Sequence, residues 1–530
     1  MTEPSQFAMS KRDLLAMIGK TASATAMLMA MAPLGQARAS TFTGPIRLEG
    51  DAKGTSIVIL GAGLAGMVCA LELSRAGYSV QVLEFNPKVG GRTWTLRGGD
   101  SYTELGGCTQ TCQFAQGNYL NPGPWRIPTE HGGVIHYCNE LGVALEPFQQ
   151  NNHNAYVHST SAFDGKPQRF KTIQGDYHGH IAELLGKAVR QNALDDAVTA
   201  EDAEILLESL RSWGALDSDM RYVKGNASST RRGWEKGPGG GLTAVPIPSE
   251  PLELSTVLQS GLWSSLGSHL TNEHQQAIFQ PVGGMDQIAV GFERAVGSMV
   301  RLNSKVTAIH QDDGGVTVEY LDTVAGDRLT ARADYCICTI PLSILAQIPL
   351  NVGGPMALAI RAVPYGPSVK VGLEFKRRFW EQDEQIYGGI TTTDLPNSQI
   401  SYPSTGYGSQ GPAVLLGAYM GGATSYEMSS LPPEERVKRV VEWGARIHPQ
   451  YRDEFMNGMS VAWHRVPWTL GCSGRWTEEA RAAHYNNLCE IDGRVVLAGE
   501  HASYIGAWQE GAITSALDAI ERLHQRVQVA

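Results

Sequence analysis

The chain has little of what several common chemistries need. Its eight cysteines are spread over 530 residues without a CxxC pair or a metal-ligand spacing, and the histidines do not cluster. Neither a dense disulfide framework nor a zinc site is expected. Positive charge is scarce too: 43 Lys+Arg against 53 Asp+Glu give a net charge of −10, and no basic run marks a nucleic-acid surface, so no nucleic-acid partner is expected. Past residue 39 no apolar stretch reaches the ~20 residues needed to span a bilayer, and no membrane attachment is expected of the mature chain. Internal repeats are absent as well. No Ser-His-Asp or paired-carboxylate arrangement stands out.

The first 39 residues look like an address. "SKRDLL" precedes the small and apolar "TASATAMLMAMAPLG", and "QARAS" supplies an A-x-A cleavage pattern ending at Ala39. The Lys11-Arg12 pair resembles a twin-arginine signal with lysine in the first place. A periplasmic or secreted protein, exported by that route already folded around its cofactor, is expected.

At roughly 150 residues per domain, the length predicts about three units. "SIVIL" reads as a strand, "LAGMVCALELSRAG" as a helix and "YSVQVLE" as a second strand, a βαβ unit of the doubly wound (Rossmann-like) α/β type. Between strand and helix, "ILGAGLAG" sets Gly61, Gly63 and Gly66 in G-x-G-x-x-G order. The first two let the backbone turn tightly and approach a pyrophosphate, the third lets helix and strand pack closely, and the helix N-terminus offers free N–H groups. Glu84 closes the second strand about 20 residues on, where a carboxylate can meet a ribose. NAD and FAD both satisfy this pattern. From about Ile181 to Met220 the character is helical, and a Gly, Ser and Pro-rich stretch runs from Lys224 to Glu250.

The residues just past the second strand separate the two cofactors. "LEFNPKVGGRTWTLR" (Leu83 to Arg97) resembles the FAD-binding segment of the flavin-containing amine oxidase family, and "VVLAGEHAS" with "GAWQEGAITSA" resembles that family's second flavin segment. The resemblance implies FAD, with Arg92 along the cofactor, Glu500 beside its ribityl and pyrophosphate part, Val306 at the adenine end, and the helix after Trp508 aimed at the flavin pyrimidine. Leu64, Ala65, Gly91, Gly123, Pro124, Trp125 and Arg126, together with Gln509, Glu510, Gly511 and Ala512, are the further positions expected along FAD. Lys370 matches the lysine that holds a water against flavin N5, and Trp508, with Ala507 beside it, a ring that flanks the substrate's reacting carbon. Cys472 falls near the position where monoamine oxidases attach FAD. Serine follows it instead of tyrosine, so a non-covalent FAD is expected.

"NPGPWRIP", "NNHNAY", "TTTDLP" and "LLGAYMGG" resemble the L-amino-acid oxidase branch of the family, in which the arginine of the first and the tyrosine of the last receive the substrate carboxylate. These are Arg126 and Tyr419. Proline on both sides holds Arg126 on a stiff segment. The resemblance implies oxidative deamination: hydride passes from Cα of an L-amino acid to flavin, water converts the imino acid to a 2-oxo acid and ammonia, and O2 leaves as hydrogen peroxide. An amine or polyamine oxidase and an amino-acid 2-monooxygenase are the alternatives. Apolar and aromatic substrates are favoured, with Asp383 or Glu384 as candidates for a basic side chain. A homo-oligomer, a dimer, is expected. The expected organisation is an FAD-binding domain (40–115, 281–345 and 455–530), an α+β substrate domain (116–150 and 346–454) and a mainly helical insertion (151–280).

Overall fold

The computed structural model describes residue 40 and residues 42–529 apart from 195–197, 243–244 and 276, so the expected export segment lies outside the described residues. Its first sheet is parallel throughout, in the order Val300–Arg301, Ser79–Leu83, Ser56–Leu60, Tyr335–Cys338, Val495–Leu497. Parallel strands are covered on both faces, which is why they read as unbroken apolar runs in the sequence. The two-residue alternation of a strand divides the central pair between two cores. Ile57, Ile59 and Val82 face the helices Leu64–Arg75, Gln287–Val296 and Gln509–Val529. Val58, Leu60 and Leu83 instead face the antiparallel sheet Ser304–Asp312, Gly315–Asp322 and Arg328–Ala333.

The second sheet has seven strands, in the order Gln168–Arg169, Tyr156–His158, Ile390–Thr393, Gln399–Ser401, Ala413–Gly421, Ser368–Phe375, Phe455–Ala462. In Ser368–Phe375 the odd positions, Val369 to Phe375, enter one core with Trp380, Val440 and Tyr451. The even positions face the other way: Gly372 lies against Leu120, and Glu374 accepts the Ala115 N–H at 2.8 Å. Lys370 belongs to this second set, so strand geometry alone turns it toward the segment that carries Trp125.

Three boundaries differ from the expected ones. Tyr156–His158 and Gln168–Arg169, expected in the helical insertion, and Phe455–Ala462, expected in the FAD-binding domain, are strands of the seven-stranded sheet. Helix Gly132–Glu140, expected in the substrate domain, packs through Val134, Tyr137 and Cys138 into the core of the parallel sheet. Strands of two or three residues are too short to show a period, and distant partners decide where they pair. The helical part that remains comprises Phe170–Arg190, Ala200–Gly214, Asn226–Arg232 and Leu254–Gln259, pinned by a buried ion pair between Asp176 and Arg232 at 2.6 Å.

Candidate active site

The strand Ser56–Leu60 ends in a turn that only glycine fits. Gly61 has φ +100°, and a Cβ on Gly66 would stand 2.0 Å from the Gly61 carbonyl oxygen. Leu64 and Ala65, in the first turn of the helix, are buried. Gly63, which begins that helix, faces open space, and no side chain caps the helix. The free N–H groups of its first turn thus border a cradle that would receive a diphosphate. Gly91 has φ +54°, and a Cβ there would stand 3.4 Å from the Gly63 Cα.

Glu84 is buried, with one oxygen accepting the Ala62 N–H at 2.6 Å and the other accepting the Asn86 N–H and side-chain amide, both at 2.8 Å. Burial raises this carboxyl above the usual range, although the Asn86 and Ala62 hydrogen bonds oppose the shift. Ser304 donates its N–H to the Glu84 carbonyl at 2.7 Å, which ties the start of the strand that carries Val306 to Glu84.

Arg92 pairs with Glu500 at 2.7 Å and donates to the Cys472 carbonyl at 2.9 Å. Glu500 also accepts the N–H groups of Gly474 at 3.0 Å and Ala507 at 3.2 Å. Burial alone would raise the Glu500 carboxyl, but the Arg92 charge holds it below the usual range. Ala507 sits in the left-handed region at φ +67°, so the Glu500 contact helps fix a strained turn that presents Trp508. The helix Gln509–Val529 starts there. Gln509 donates to Thr93 at 3.1 Å, a Cβ on Gly511 would stand 2.1 Å from the Ile505 carbonyl, and Ala512 is half-buried. The Glu510 side chain does not join them. Its carboxylate accepts the N–H groups of Gly133 at 2.9 Å and Val134 at 2.8 Å, capping helix Gly132–Glu140. One residue along a helix rotates the side chain by about 100°, enough to turn Glu510 away from the face that carries Gln509.

The stretch around Arg126 runs directly over this region: a Cβ on Gly123 would stand 2.1 Å from the Arg92 carbonyl oxygen. The Gly123 carbonyl accepts a hydrogen bond from Lys370, Pro124 is half-buried, and the Trp125 ring lies 6.0 Å from Phe148 and 5.6 Å from Tyr419. Lys370 and Tyr419 are direct cross-strand neighbours. The lysine nitrogen sits 4.5 Å from the Trp125 ring centre and 4.6 Å from that of Tyr419. Burial pushes Lys370 down to about 7.

Arg126 donates to Gln150 at 2.9 Å and contacts His274 Nε2 at 3.0 Å. Because arginine only donates, His274 accepts through Nε2 and carries its proton on Nδ1. The guanidinium lies 5.3 Å from the Trp125 ring and 5.7 Å from the Trp508 ring, and its buried Nε has no hydrogen-bond partner. Burial pushes Arg126 down to about 10. Arginines buried more fully than Arg126 are neutralised: Arg232 by Asp176 at 2.6 Å, Arg378 by Glu381 and Arg436 by Glu104, both at 2.7 Å. Among the described residues no carboxylate is within ion-pair distance of Arg126 or Lys370. Asp383 and Glu384 are not free to serve a basic substrate, since they pair with Arg377 at 2.7 Å and His448 at 2.9 Å.

Sequence reasoning missed three residues of this site. Gln150 and His274 hold Arg126 from 24 and 148 positions away, and nothing local marks either. His131 is buried, begins helix Gly132–Glu140, and meets the Trp508 ring edge-on at 4.9 Å. Burial keeps it neutral, down to about 4. Among the described residues no cluster of His, Cys, Asp and Glu is fit to hold a metal, and no helix is long and apolar enough to cross a membrane.

A glycine cradle on a parallel sheet, with Arg126 and Lys370 brought together around Trp125, fits a dinucleotide-dependent oxidoreductase. The chain belongs to the flavin containing amine oxidoreductase family, whose model matches residues 64–524, and FAD is its cofactor. It is 28% identical to the flavin-dependent L-tryptophan oxidase RebO of Lentzea aerocolonigenes, over 88% of this chain and 97% of that one. It is 26% identical to an L-amino-acid oxidase of Siganus canaliculatus, over 89% and 85%. The fold is that of solved amine oxidases. Putrescine oxidase bound to putrescine superposes with a TM-score of 0.58 at 18% identity, over 90% of this chain and 99% of that one. The cyclohexylamine oxidase of Brevibacterium oxydans gives 0.59 at 16%, over 90% and 100%.

Proposed function

We propose that the protein is an L-amino-acid oxidase, converting an L-amino acid, O2 and water to a 2-oxo acid, ammonia and hydrogen peroxide. The observation that carries this reading is Arg126, a half-buried guanidinium whose buried Nε has no hydrogen-bond partner and which has no carboxylate within ion-pair distance among the described residues. A guanidinium has five N–H groups. Gln150 and His274 engage one on each terminal nitrogen, leaving Nε and one further N–H on each side for a carboxylate. The Trp125 and Trp508 rings, 5.3 and 5.7 Å from the guanidinium, would border that carboxylate and lower the polarity around the pair. Tyr419, beside Trp125, adds a hydroxyl to the same wall.

Bound FAD supplies the acceptor for the Cα hydride and the route of the electrons to O2. The protein holds the substrate so that Cα faces the cofactor, which is mostly a matter of orientation. Lys370, near neutrality, can hold or release a proton at Nζ in the same pocket. The Trp125, Phe148 and Trp508 rings, with Asp383 and Glu384 engaged elsewhere, favour apolar and aromatic side chains. The relatives named as L-amino-acid and L-tryptophan oxidases support the same reading.

The test is product analysis of the FAD-loaded protein in air, with each of the twenty L-amino acids. Ammonia, 2-oxo acid and peroxide in equal amounts are expected. An amide and carbon dioxide would make the protein a monooxygenase, and turnover of putrescine or cyclohexylamine alone would make it an amine oxidase.

A further inference from the structure

Glu510 is completely buried and has no cationic partner among the described residues, yet it lies where the chain enters the fold. Its carboxylate accepts the N–H groups of Gly133 and Val134 and the hydroxyl of Ser40. Ser40 is held there from both sides: its hydroxyl also accepts the Phe42 N–H at 3.1 Å, and the Phe42 ring packs 5.3 Å from His136 and 3.4 Å from the Cβ position of Gly132. Ser40 is also the residue directly after the A-x-A pattern ending at Ala39. The junction expected to be cut thus lies at a buried, uncompensated carboxylate.

We propose that cleavage between Ala39 and Ser40 is a maturation step that completes this site, the new α-ammonium of Ser40 becoming the counter-ion of Glu510. An endopeptidase of the signal-processing type hydrolyses the Ala39–Ser40 amide with one water. The C–N bond breaks, the water oxygen stays on Ala39, which leaves as a carboxylate, and both water protons go to the Ser40 nitrogen, which becomes an ammonium. That nitrogen is three bonds from the hydroxyl already bonded to Glu510, so it reaches the carboxylate by rotation about the serine side chain and backbone. Pairing a buried carboxylate offsets its desolvation cost. The pair would tie the chain's new end to helix Gly132–Glu140, whose leading residue His131 packs on Trp508, and so brace that wall of the pocket.

The test compares three FAD-loaded chains: one beginning at Ser40 with a free amine, one N-acetylated at Ser40, and one retaining Ala37 to Ala39. The free-amine chain should melt higher than either of the others by about 2 °C. In Glu510→Gln the gap between free and acetylated chains should vanish, whereas in Ser40→Ala, which keeps the amine, it should persist. Equal melting of the three chains overturns the proposal, as does a gap that survives in Glu510→Gln or disappears in Ser40→Ala. The Ser40→Ala arm decides the matter even if Glu510→Gln does not fold. Protein secreted by the native host should begin at Ser40 by mass, and any other terminus also overturns it. None of these readouts depends on which amine is oxidised.

Discussion

The two ends of the cofactor groove treat charge in opposite ways. At the nucleotide end the charged groups Arg92 and Glu84 have protein partners: Arg92 has Glu500, and Glu84 has the Ala62 and Asn86 N–H groups. At the substrate end half-buried Arg126 and buried Lys370 lie against aromatic rings with no carboxylate within ion-pair distance among the described residues, although the Glu273 charge acts on Arg126 from further off. An isolated buried cation costs stability, so it persists where something outside the chain repays that cost. The charges of the nucleotide end are settled within the chain, whereas an L-amino-acid oxidase, as proposed above, would use the positive charge of the substrate end to receive a substrate carboxylate.

Breaking the substrate end should show the largest effect. Arg126→Leu removes the fork and leaves an incoming carboxylate unpaired, a loss of about 2–5 kcal/mol or roughly thirtyfold to several thousandfold in kcat/KM for amino acids. Arg126→Lys should fall between that and wild type, because a compact ammonium cannot reproduce the planar fork. Both variants should keep bound FAD and the folded spectrum, which steady-state assays and flavin absorbance will check. At the nucleotide end the same kind of cut should instead strike the fold. Glu500→Ala leaves Arg92 buried and alone, and about 3 kcal/mol of stability should go with FAD retention, read by denaturant unfolding and released flavin. Replacing both partners, Arg92→Met with Glu500→Met, should recover part of that loss, an outcome the substrate end has no means to produce.

Lys370 offers a comparison within one residue. Its folded value of about 7 lies below its ordinary 10.5, so below pH 7 the folded chain carries the full cost of a buried ammonium. Between 7 and 10.5 the folded chain gives up that proton more readily than the unfolded one, and the cost fades as pH rises. Lys370→Met should therefore raise Tm relative to wild type more at pH 6 than at pH 9, while slowing flavin turnover. The smallest effect belongs to Gln150→Ala. It removes one hydrogen bond to a charged group, about 1.5 kcal/mol, and should raise the amino-acid KM roughly tenfold with kcat nearly unchanged.

How much of this is legible in the sequence depends on the range of the interactions. The Gly61 to Gly66 turn and Glu84 are legible because strand, turn and helix lie within 30 residues and each glycine answers a local steric demand. Arg126 stands out for its stiff proline setting, but Gln150 and His274, which aim it, carry no local mark. Sequence alone groups Glu510 with its cofactor-facing neighbours. Helical rotation and the uncapped N–H groups of Gly133 and Val134, almost 380 residues away in sequence, draw it elsewhere. The short strand Tyr156–His158 joins the edge that Ile390–Thr393 offers, and Gln168–Arg169 in turn joins Tyr156–His158.

The central claim is that the unpaired Arg126 waits for a carboxylate, and substrate pairs differing only in that group address it most directly. Anaerobic bleaching of the flavin should be monitored with L-phenylalanine against phenethylamine and with L-tryptophan against tryptamine, in wild type and in Arg126→Leu. The amino acids should reduce the wild-type flavin at least about thirtyfold faster than the decarboxylated amines, with the ratio collapsing toward one in the variant. Equal rates for amino acid and amine in the wild type, or an equal loss toward both in Arg126→Leu, would contradict the account and assign the pocket to simple amines.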